Sequence, residues 1–563
     1  MNNKKSILVL SILSLLFIQL NAQQTRTGRI EESLTTFNDV LRQLDMNYVD
    51  TLNYESITET AINQALRKVD PYTVYFPKKK DDDLRMLTTG KYGGIGAIIQ
   101  QRDSQVIIAN PYEGKPAQRN DVLSGDILLS VDGTSVKDKK VPDVSQLLRG
   151  EPGSIVKLEL ERNGQVINRE FAREDIHMEP VDYYTVFPKD STDNQFVGYI
   201  SFREFTEGSA ADFAKALNDL VTNHHIEGII FDLRSNGGGI IEEAIRIVNN
   251  FVPKGTTVVS TKGKIQSANN TYITQAEPTY PNLPVVILVD KNSASASEIV
   301  SGSLQDLKRA TLIGQRTFGK GLVQKPVEFG DGSMMRLTIA RYYTPSDRCI
   351  QKPYTNGMDK NYEEDLMLRY QHGEFFSQDS IKHEGPEYHT NNGRVVYGGG
   401  GITPDIFVPE DTSDFTSYYK EASMSGLILQ FGYDYTDQHR AVLKEYDSEA
   451  SLLKYIKKQN LVEQFAQYAE KHGLKRRNLM IQRSRRLLEQ YIYSRVIYNI
   501  LDEQSWLQYL NEDDPAIRET LRVFEAGEAF PKAPDLKGSK AKKVAMSFDY
   551  RAVHKSSVVV ARA

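Results

Sequence analysis

Two short segments of the chain carry residue types that could make and break an acyl bond. In the first, three serines alternate with alanine over residues 293–297, shortly after the apolar run 284–289. Such a run predicts a buried strand, and the apolar spacing after residue 297 predicts a helix. A serine at this turn projects from the end of a sheet, beside helix N–H groups that can stabilise an oxyanion. Spacing alone does not choose among the three serines, and each could instead cap or pack the helix.

The second segment offers a base for such a serine. Lys320 stands between two glycines at residues 317–321, directly before an apolar strand. A lysine in an apolar pocket has its charged form disfavoured, so its pKa falls and its neutral amine can take a proton from serine. Gln324 follows four residues later, on the same face of a regular strand, where its oxygen could orient the amine. The structural alternative is an exposed lysine in a glycine turn.

Histidine and metal chemistry are the competing possibilities. None of the nine histidines lies near the serine run in the sequence, although a distant one, His177 or His225, could still act as the base of a Ser–His hydrolase. The single cysteine, Cys349, excludes an intramolecular disulfide framework and multi-cysteine metal sites. We interpret Cys349 as a buried small side chain. Acyl transfer by serine and lysine requires no metal and no organic cofactor.

A third glycine-rich segment could supply oxyanion donors. The apolar run 228–233 predicts another buried strand, and it ends in Asn236-Gly237-Gly238-Gly239. Glycines at the end of a strand allow a bound chain to approach, and their N–H groups can point at an oxyanion. The alternative is a turn that only ends the strand. A later run of four glycines, residues 398–401, we interpret as structural.

A fourth segment suggests recognition of a chain terminus. Tyr92-Gly93-Gly94-Ile95-Gly96-Ala97 places three glycines before an apolar strand. Successive N–H groups of such a loop can bind a carboxylate, and a strand with a free edge can accept a peptide as an additional strand. A tight turn without a ligand is the alternative.

These segments together resemble the carboxyl-terminal processing peptidases, which are tail-specific serine proteases with a PDZ domain. The resemblance implies that the central serine, Ser295, is the nucleophile, that Lys320 is the general base and that Gln324 orients the lysine. It also implies that the N–H groups of Ala296 and Gly238 stabilise the oxyanion.

The same resemblance assigns the peptide-binding loop of a PDZ-like domain. Its residues would be Gly94, Ile95, Gly96 and Ala97. The partners implied are protein substrates with apolar C-terminal tails. The competing function for the same fold is a non-catalytic PDZ-type scaffold or adaptor that binds peptides.

The predicted fold is a multidomain mixed α/β chain, with a crotonase-like ββα catalytic core and an inserted or preceding PDZ-like module. Helical regions flank both. The predicted divisions are a signal peptide at 1–22, a helical N-terminal region at 23–89, the PDZ-like domain at 90–176, the peptidase core at 177–412, a helical C-terminal region at 413–530 and a basic flexible tail at 531–563.

Composition and the N-terminus define the compartment and exclude some partners. The chain has 563 residues, a charged fraction of 25 % and a net charge of −5, which rules out a broadly basic nucleic-acid surface. Lys4 and Lys5 precede the apolar stretch 7–18, which is shorter than the roughly 18 to 20 residues of a membrane span. Because no cysteine follows, a lipid anchor there is excluded. We therefore expect export to a bacterial periplasm, no stable membrane span after signal removal, and self-assembly, if any, through the helical ends.

Overall fold

The structure is a computed structural model that describes residues 28–77, 91–102, 105–162, 164–188, 195–354, 362, 364–383, 385–390 and 393–530. The chain divides into two compact units, Met1–Lys68 and Val69–Ala563. The predicted signal peptide and basic tail lie outside the described residues. Within the described ranges, no helix is both long and apolar enough to cross a bilayer.

The first unit is helical over its described part. Helix α1 covers residues 28–47 and helix α2 covers Tyr54–Leu66. The Asn53 side chain accepts a hydrogen bond from the N–H of Ser56 and so satisfies a free donor at the start of α2. Several large apolar side chains of α1 are exposed: Ile30, Leu34, Phe37 and Val40.

The second unit starts with a short strand and continues into a β-rich module. The elements are β1 (Val74–Phe76), β2 (Lys91–Gly94), β3 (Ala97–Arg102), β4 (Gln105–Pro111), α3 (Pro116–Arg119), β5 (Ile127–Val131), β6 (Thr134–Ser135), α4 (Val141–Leu148), β7 (Ile155–Arg162), β8 (Gln165–Ala172) and β9 (Glu174–His177). Strands β3, β4, β5, β7 and β8 form an antiparallel sheet in that order, β6 pairs with β5, and β2 pairs with β9. Along β7, the buried Val156, Leu158 and Leu160 alternate with more exposed residues, so one face of this sheet forms the module's core.

The core that follows contains both candidate catalytic segments. Its elements are β10 (Val181–Pro188), β11 (Phe196–Phe202), α5 (Ser209–Asn223), β12 (Gly228–Asp232), α6 (Ile241–Val248), β13 (Thr257–Gly263), β14 (Asn270–Ile273), β15 (Val285–Val289), α7 (Ala296–Asp306), β16 (Thr311–Gly314), β17 (Leu322–Glu328), β18 (Met334–Tyr343), α8 (Asp365–Gln371), β19 (Glu387–His389), β20 (Val395–Tyr397) and β21 (Ile406–Phe407).

The main sheet of the core is mostly parallel. Its strand order is β10-β11-β12-β15-β16-β21, and only the β10–β11 pair is antiparallel. Every residue of β12 and β15 is buried. This agrees with the two continuous apolar runs in the sequence, since a parallel strand is covered on both faces.

A second sheet of the core joins segments from distant parts of the chain. Its order is β1-β18-β13-β14, with β17 also paired to β18, and Val74 of β1 lies opposite Arg336 of β18. Residues 74–76 fall within the predicted helical region 23–89, but this Val-Tyr-Phe segment is a strand because it completes the sheet. The β-rich module is therefore inserted between β1 and the rest of the core.

The C-terminal region consists of helices. They are α9 (Ser417–Met424), α10 (Leu427–Leu443), α11 (Glu449–Ile456), α12 (Leu461–Lys471), α13 (Asn478–Arg483), α14 (Arg485–Ile500), α15 (Glu503–Glu512) and α16 (Pro515–Glu525). Helices α9 to α14 surround their own apolar core, which includes Phe431, Phe465 and Ile492. Tyr433 of α10 also reaches the β-rich module, where its hydroxyl donates to the Ala109 carbonyl at 2.9 Å.

The last helix belongs to the core sheet. Asp514 caps α16 by accepting hydrogen bonds from the N–H groups of Ala516 and Ile517, and Pro515 occupies the first position of the helix. Phe524 packs so closely on Gly228 of β12 that a Cβ there would lie 2.3 Å from the ring. One face of the main sheet is thus covered by α5, α6 and α7 and the other by α16.

Candidate active site

Ser295 occupies the turn between β15 and α7. It is the N-cap residue of α7, with φ 56° and ψ −114°, and its side chain is partly exposed. A non-glycine residue adopts positive φ only when its surroundings impose it, and such residues cluster at functional sites. The turn therefore presents one serine in a constrained conformation at the end of the sheet.

The other two serines of the run have structural roles. Ser293 and Ser297 are fully buried. The Ser293 hydroxyl donates to the Leu233 carbonyl at 2.7 Å and accepts from the Asp290 N–H at 2.9 Å. The Ser297 hydroxyl donates to the Asn236 carbonyl at 3.0 Å. Of the three serines, Ser295 is the one that a substrate could reach.

Glu298 ties the serine turn to the lysine loop. This fully buried carboxylate accepts the N–H of Ser295 at 2.9 Å and the N–H of Lys320 at 2.8 Å, both on Oε2. Its Oε1 accepts the Gly319 N–H at 2.7 Å and the Thr317 hydroxyl at 2.5 Å. Burial raises the pKa of Glu298, and these four donors oppose that shift by favouring the ionised form.

Tyr342 makes a second bridge between the same two segments. Its buried hydroxyl lies 2.6 Å from the Lys320 carbonyl and 3.1 Å from the Ser295 carbonyl. Burial raises the pKa of Tyr342, so the hydroxyl keeps its proton and donates it to these carbonyls. Backbone donors and backbone acceptors of both segments are thus fixed by buried side chains.

The environment of Lys320 favours the neutral amine. Its Nζ lies 4.8 Å from the centroid of the Tyr72 ring, and among the described residues it forms no ion pair or hydrogen bond. Burial, together with the nearby positive charge of Arg336, lowers the pKa of Lys320 to about 8, while the Glu298 carboxylate acts in the opposite direction. A pKa near 8 suits a general base that works near neutral pH.

Gln324 lies in β17, the strand that follows Lys320. The predicted four-residue spacing on one face of a regular strand does not apply to this pair. Lys320 precedes the first residue of β17, and the register of β17 against β18 shifts between Val323 and Gln324. Simple alternation along one strand therefore cannot relate the two side chains. The Gln324 side-chain Nε2 donates to the Thr338 hydroxyl at 3.4 Å.

The glycine loop after β12 packs directly on the serine turn. A Cβ at Gly238, which has φ 101°, would lie 2.6 Å from Ser295 Cβ and 2.8 Å from Ala296 N, so only glycine fits. The Asn236 carbonyl accepts the Ala294 N–H at 3.0 Å. The Gly238 N–H donates to Asn236 Oδ1 at 2.8 Å. The Ala296 N–H has no partner within the described part of the chain.

The loop predicted to bind peptides lies beside a groove of the β-rich module. Gly94 ends β2 and Ala97 begins β3, an edge strand of its sheet. Between them, Ile95 is buried in the module's core and Gly96 has φ 71°. A cavity of about 230 Å³ separates this loop and β3 from helix α4. An extended peptide could pair with the edge of β3 at this groove.

The alternative bases and nucleophile lie elsewhere. His177 is in β9, paired with Lys91 at the edge of the β-rich module, and His225 is exposed in the turn before β12. Cys349 is partly buried, and burial raises the pKa of its thiol, which disfavours the reactive thiolate. Across the residues that the structure describes, no three His, Cys, Asp or Glu side chains cluster as a metal site would require.

Several residues around the site were missed by sequence reasoning. Glu298 follows Ser295 by three residues, the spacing of a capping box, and this signal could have identified it. Tyr342 and Tyr72 carry no comparable local signal. They reach the site because β18 and the segment around β1 pair in the second sheet, which no short motif encodes.

Comparisons with known proteins agree with this architecture. Residues 196–363 match the model of peptidase family S41, residues 107–162 match a PDZ domain and residues 418–502 match a family of unknown function. A carboxy-terminal-processing protease of Bartonella bacilliformis is 31 % identical over 325 residues, which cover 57 % of this chain and 73 % of that protein. A probable CtpA-like serine protease of Staphylococcus aureus is 31 % identical over 352 residues, covering 61 % of this chain and 67 % of the relative.

Solved structures give similar matches. The photosystem II D1 C-terminal processing protease is 25 % identical, with a TM-score of 0.37, and the match covers 66 % of this chain and 87 % of that one. The PDZ domain of a carboxy-terminal protease from Vibrio cholerae, solved with a peptide, is 29 % identical, with a TM-score of 0.15, covering 16 % of this chain and 99 % of that domain. On the sequence relationships above, the chain belongs to the carboxy-terminal-processing proteases of peptidase family S41 and carries a PDZ domain.

Proposed function

We propose that the protein is an exported serine endopeptidase that cleaves other proteins with Ser295, Lys320 and Gln324. The observation that carries this proposal is the pair of buried bridges, through Glu298 and Tyr342, that holds the Ser295 turn and the Lys320 loop together. A binding protein would have no need to fix an accessible serine against a lysine of lowered pKa. Such a pairing is what nucleophilic catalysis by serine requires.

In the proposed mechanism, neutral Lys320 takes the hydroxyl proton of Ser295 as Ser295 Oγ attacks the scissile carbonyl. The carbonyl carbon becomes tetrahedral and its oxygen becomes an anion. Lys320 then returns the proton to the leaving amine, which departs as the C–N bond breaks. Water repeats the sequence on the resulting ester and releases Ser295.

Two backbone donors would stabilise the oxyanion. The N–H of Ala296 is the first, since it follows the nucleophile at the start of α7 and has no partner among the described residues. We assign the second to Gly238, which would have to exchange its present bond to Asn236 Oδ1 for the oxyanion. One such donor typically contributes roughly 3–4 kcal/mol to transition-state stabilisation.

The PDZ domain would select the substrate. We propose that the Gly94–Ala97 loop binds the terminal carboxylate of an apolar tail and that the edge of β3 pairs with the preceding residues, which presents the chain to a crotonase-like core. The signal sequence would send the protein to the bacterial periplasm, and the helical regions could mediate self-association. None of these steps calls for a cofactor, nucleic acid or membrane span.

The experiment is cleavage of an unfolded protein with an apolar C-terminus by the mature chain. Ser295→Ala and Lys320→Ala should abolish cleavage while the chain remains folded. Matched controls are Ser267→Ala and Lys325→Ala, both at exposed positions of the core, and both should cleave like the wild type. Full cleavage by both Ser295→Ala and Lys320→Ala would refute the proposed function.

A further inference from the structure

The segment just before β1 brings a buried carboxylate, that of Asp70, to the candidate site. Asp70 precedes Gln324 by 254 residues and lies on the other side of the inserted PDZ domain. Its side chain is only 3 % exposed. The pairing of β1 with β18 places Asp70 beside Thr338, whose hydroxyl lies 3.1 Å from Asp70 Oδ1. Thr338 is also the residue that Gln324 contacts.

The hydrogen bonds around Asp70 have a fixed direction. Asp70 Oδ1 accepts the N–H groups of Tyr72 at 2.7 Å and Thr73 at 2.8 Å, and Oδ2 accepts the Thr73 hydroxyl at 2.5 Å. The Thr338 hydroxyl donates its one proton to Asp70 Oδ1 at 3.1 Å. The remaining lone pairs of that hydroxyl can then only accept a hydrogen bond, and the available donor is Gln324 Nε2.

This direction determines which atom of the Gln324 amide is bonded to Thr338 and which is left unbonded within the described part of the chain. An amide side chain can present either its oxygen or its nitrogen after a half-turn about its last bond. With Nε2 committed to Thr338, Oε1 is the free atom of the amide and accepts no hydrogen bond from any described residue. An amine needs an acceptor to orient it, and Oε1 is one, whereas Nε2 would be a competing donor.

We propose that Asp70 and Thr338 are positioning residues that, through this chain of hydrogen bonds, hold the Gln324 carbonyl oxygen toward Lys320. The proposal rests on the proposed function, since it assigns Gln324 the task of orienting Lys320. It also gives the segment before β1 a role in the reaction, because Asp70 is the acceptor that sets the direction of these hydrogen bonds. Neither Asp70 nor Thr338 contacts the substrate in this account.

The test measures kcat and KM on a quenched fluorescent peptide with a free, apolar C-terminus. Thr338→Val keeps the shape and strand preference of the side chain but removes the hydroxyl, so Gln324 can turn. We expect kcat to fall roughly tenfold with KM unchanged, the loss expected for one hydrogen bond that matters in the transition state. Thr338→Ser retains the hydroxyl and should recover wild-type kcat. Thr271→Val, the same change at an exposed position of β14, is the matched control.

The decisive comparison repeats Thr338→Val in a Gln324→Ala background. If Thr338 acts only through Gln324, Thr338→Val should cause no further fall in kcat in the Gln324→Ala background. A general structural defect would instead lower kcat by the same factor in both backgrounds. Asp70→Ala should behave like Thr338→Val, with its thermal unfolding checked because it also removes an acceptor from Tyr72 and Thr73.

Two results would overturn the proposal: wild-type kcat in Thr338→Val when Gln324→Ala is impaired, or an equal loss in both backgrounds. Failure of the proposed function has a different signature, full cleavage by both Ser295→Ala and Lys320→Ala, which would overturn both proposals. Wild-type kcat in Thr338→Val, with Ser295→Ala inactive, would remove only the role of Asp70 and Thr338.

Discussion

The backbone N–H groups of Ser295 and Lys320 donate to the same oxygen atom, Oε2 of Glu298, at 2.9 and 2.8 Å. Two segments that lie 25 residues apart in sequence are thereby held at one point in the core. The bond to Lys320 fixes its backbone N–H and leaves its side-chain amine unbonded among the described residues. Glu298 therefore positions the base without forming a hydrogen bond or ion pair with its amine. The geometry of the candidate site thus depends on a residue that does no chemistry itself.

The first prediction concerns Glu298. Glu298→Gln replaces one carboxylate oxygen, which accepts two of the four hydrogen bonds, by an NH₂ group. That group then faces two hydrogen-bond donors. We expect the free energy of unfolding to fall by about 2–4 kcal/mol, because buried donors lose their acceptors. We expect kcat to fall roughly 100-fold, since a displacement of about 1 Å at a reacting group has that effect. Thermal unfolding and peptide cleavage measure the two effects. Glu242→Gln is the control, since this glutamate is also in the first turn of a helix but is exposed.

The second prediction concerns the pH dependence of kcat/KM. Burial lowers the pKa of Lys320 to about 8, so below pH 8 the amine is mostly protonated and cannot accept the Ser295 proton. Activity on a substrate without groups that titrate in this range should rise about tenfold per pH unit up to pH 8 and then level off. A profile that is flat between pH 6 and 8 would contradict the assignment of Lys320 as the base.

The third prediction concerns stability. The lysine pKa falls from 10.5 to about 8 on folding, so the unfolded state binds more protons between these values and wild-type stability rises with pH across that window. Below pH 8 the folded protein bears the full free-energy cost of burying the protonated Lys320 amine. Lys320→Met should therefore raise the free energy of unfolding at pH 7 by about 1–3 kcal/mol. This gain should shrink toward pH 10.5 and be absent from Lys325→Met, at an exposed position of β17. Denaturant unfolding at pH 7 and 10 measures it, and a less stable Lys320→Met at pH 7 would count against burial of the charge.

The fourth prediction concerns tail recognition by the PDZ domain. If the Gly94–Ala97 loop binds a terminal carboxylate, a peptide with an amidated C-terminus should bind the inactive Ser295→Ala chain at least about tenfold more weakly than the free acid. Fluorescence anisotropy measures both affinities. Gly96→Ala should weaken binding of the free acid, because a Cβ there would lie 2.5 Å from Lys115 Cβ. Equal affinity for acid and amide would exclude carboxylate recognition.

The sequence revealed the parts of the fold that local patterns encode. The apolar runs of β12 and β15 predicted buried strands, and both strands are buried throughout. It could not reveal β1, because Val74–Phe76 is a strand only by virtue of its pairing with β18. The same pairing brings Tyr72 and Asp70 to the site, so these residues were invisible for the same reason.

Within the site, spacing predicted the residue types, while the choice among the serines came only from the family resemblance. Spacing left three serines open, and burial distinguishes them: the hydroxyls of Ser293 and Ser297 are committed to backbone groups while Ser295 is accessible. Likewise, strand alternation suggested how Gln324 faces Lys320, but a register shift in β17 made that argument invalid. Both outcomes depend on tertiary packing that spacing does not record.

The central claim, that Ser295 is the nucleophile, is tested most directly by mass spectrometry of the chain after reaction with a fluorophosphonate. The account predicts a single adduct on the peptide containing Ser295, which is lost in Ser295→Ala and slowed in Lys320→Ala. An adduct on Ser293, Ser297 or a serine outside this turn, formed while the enzyme loses its proteolytic activity, would contradict it.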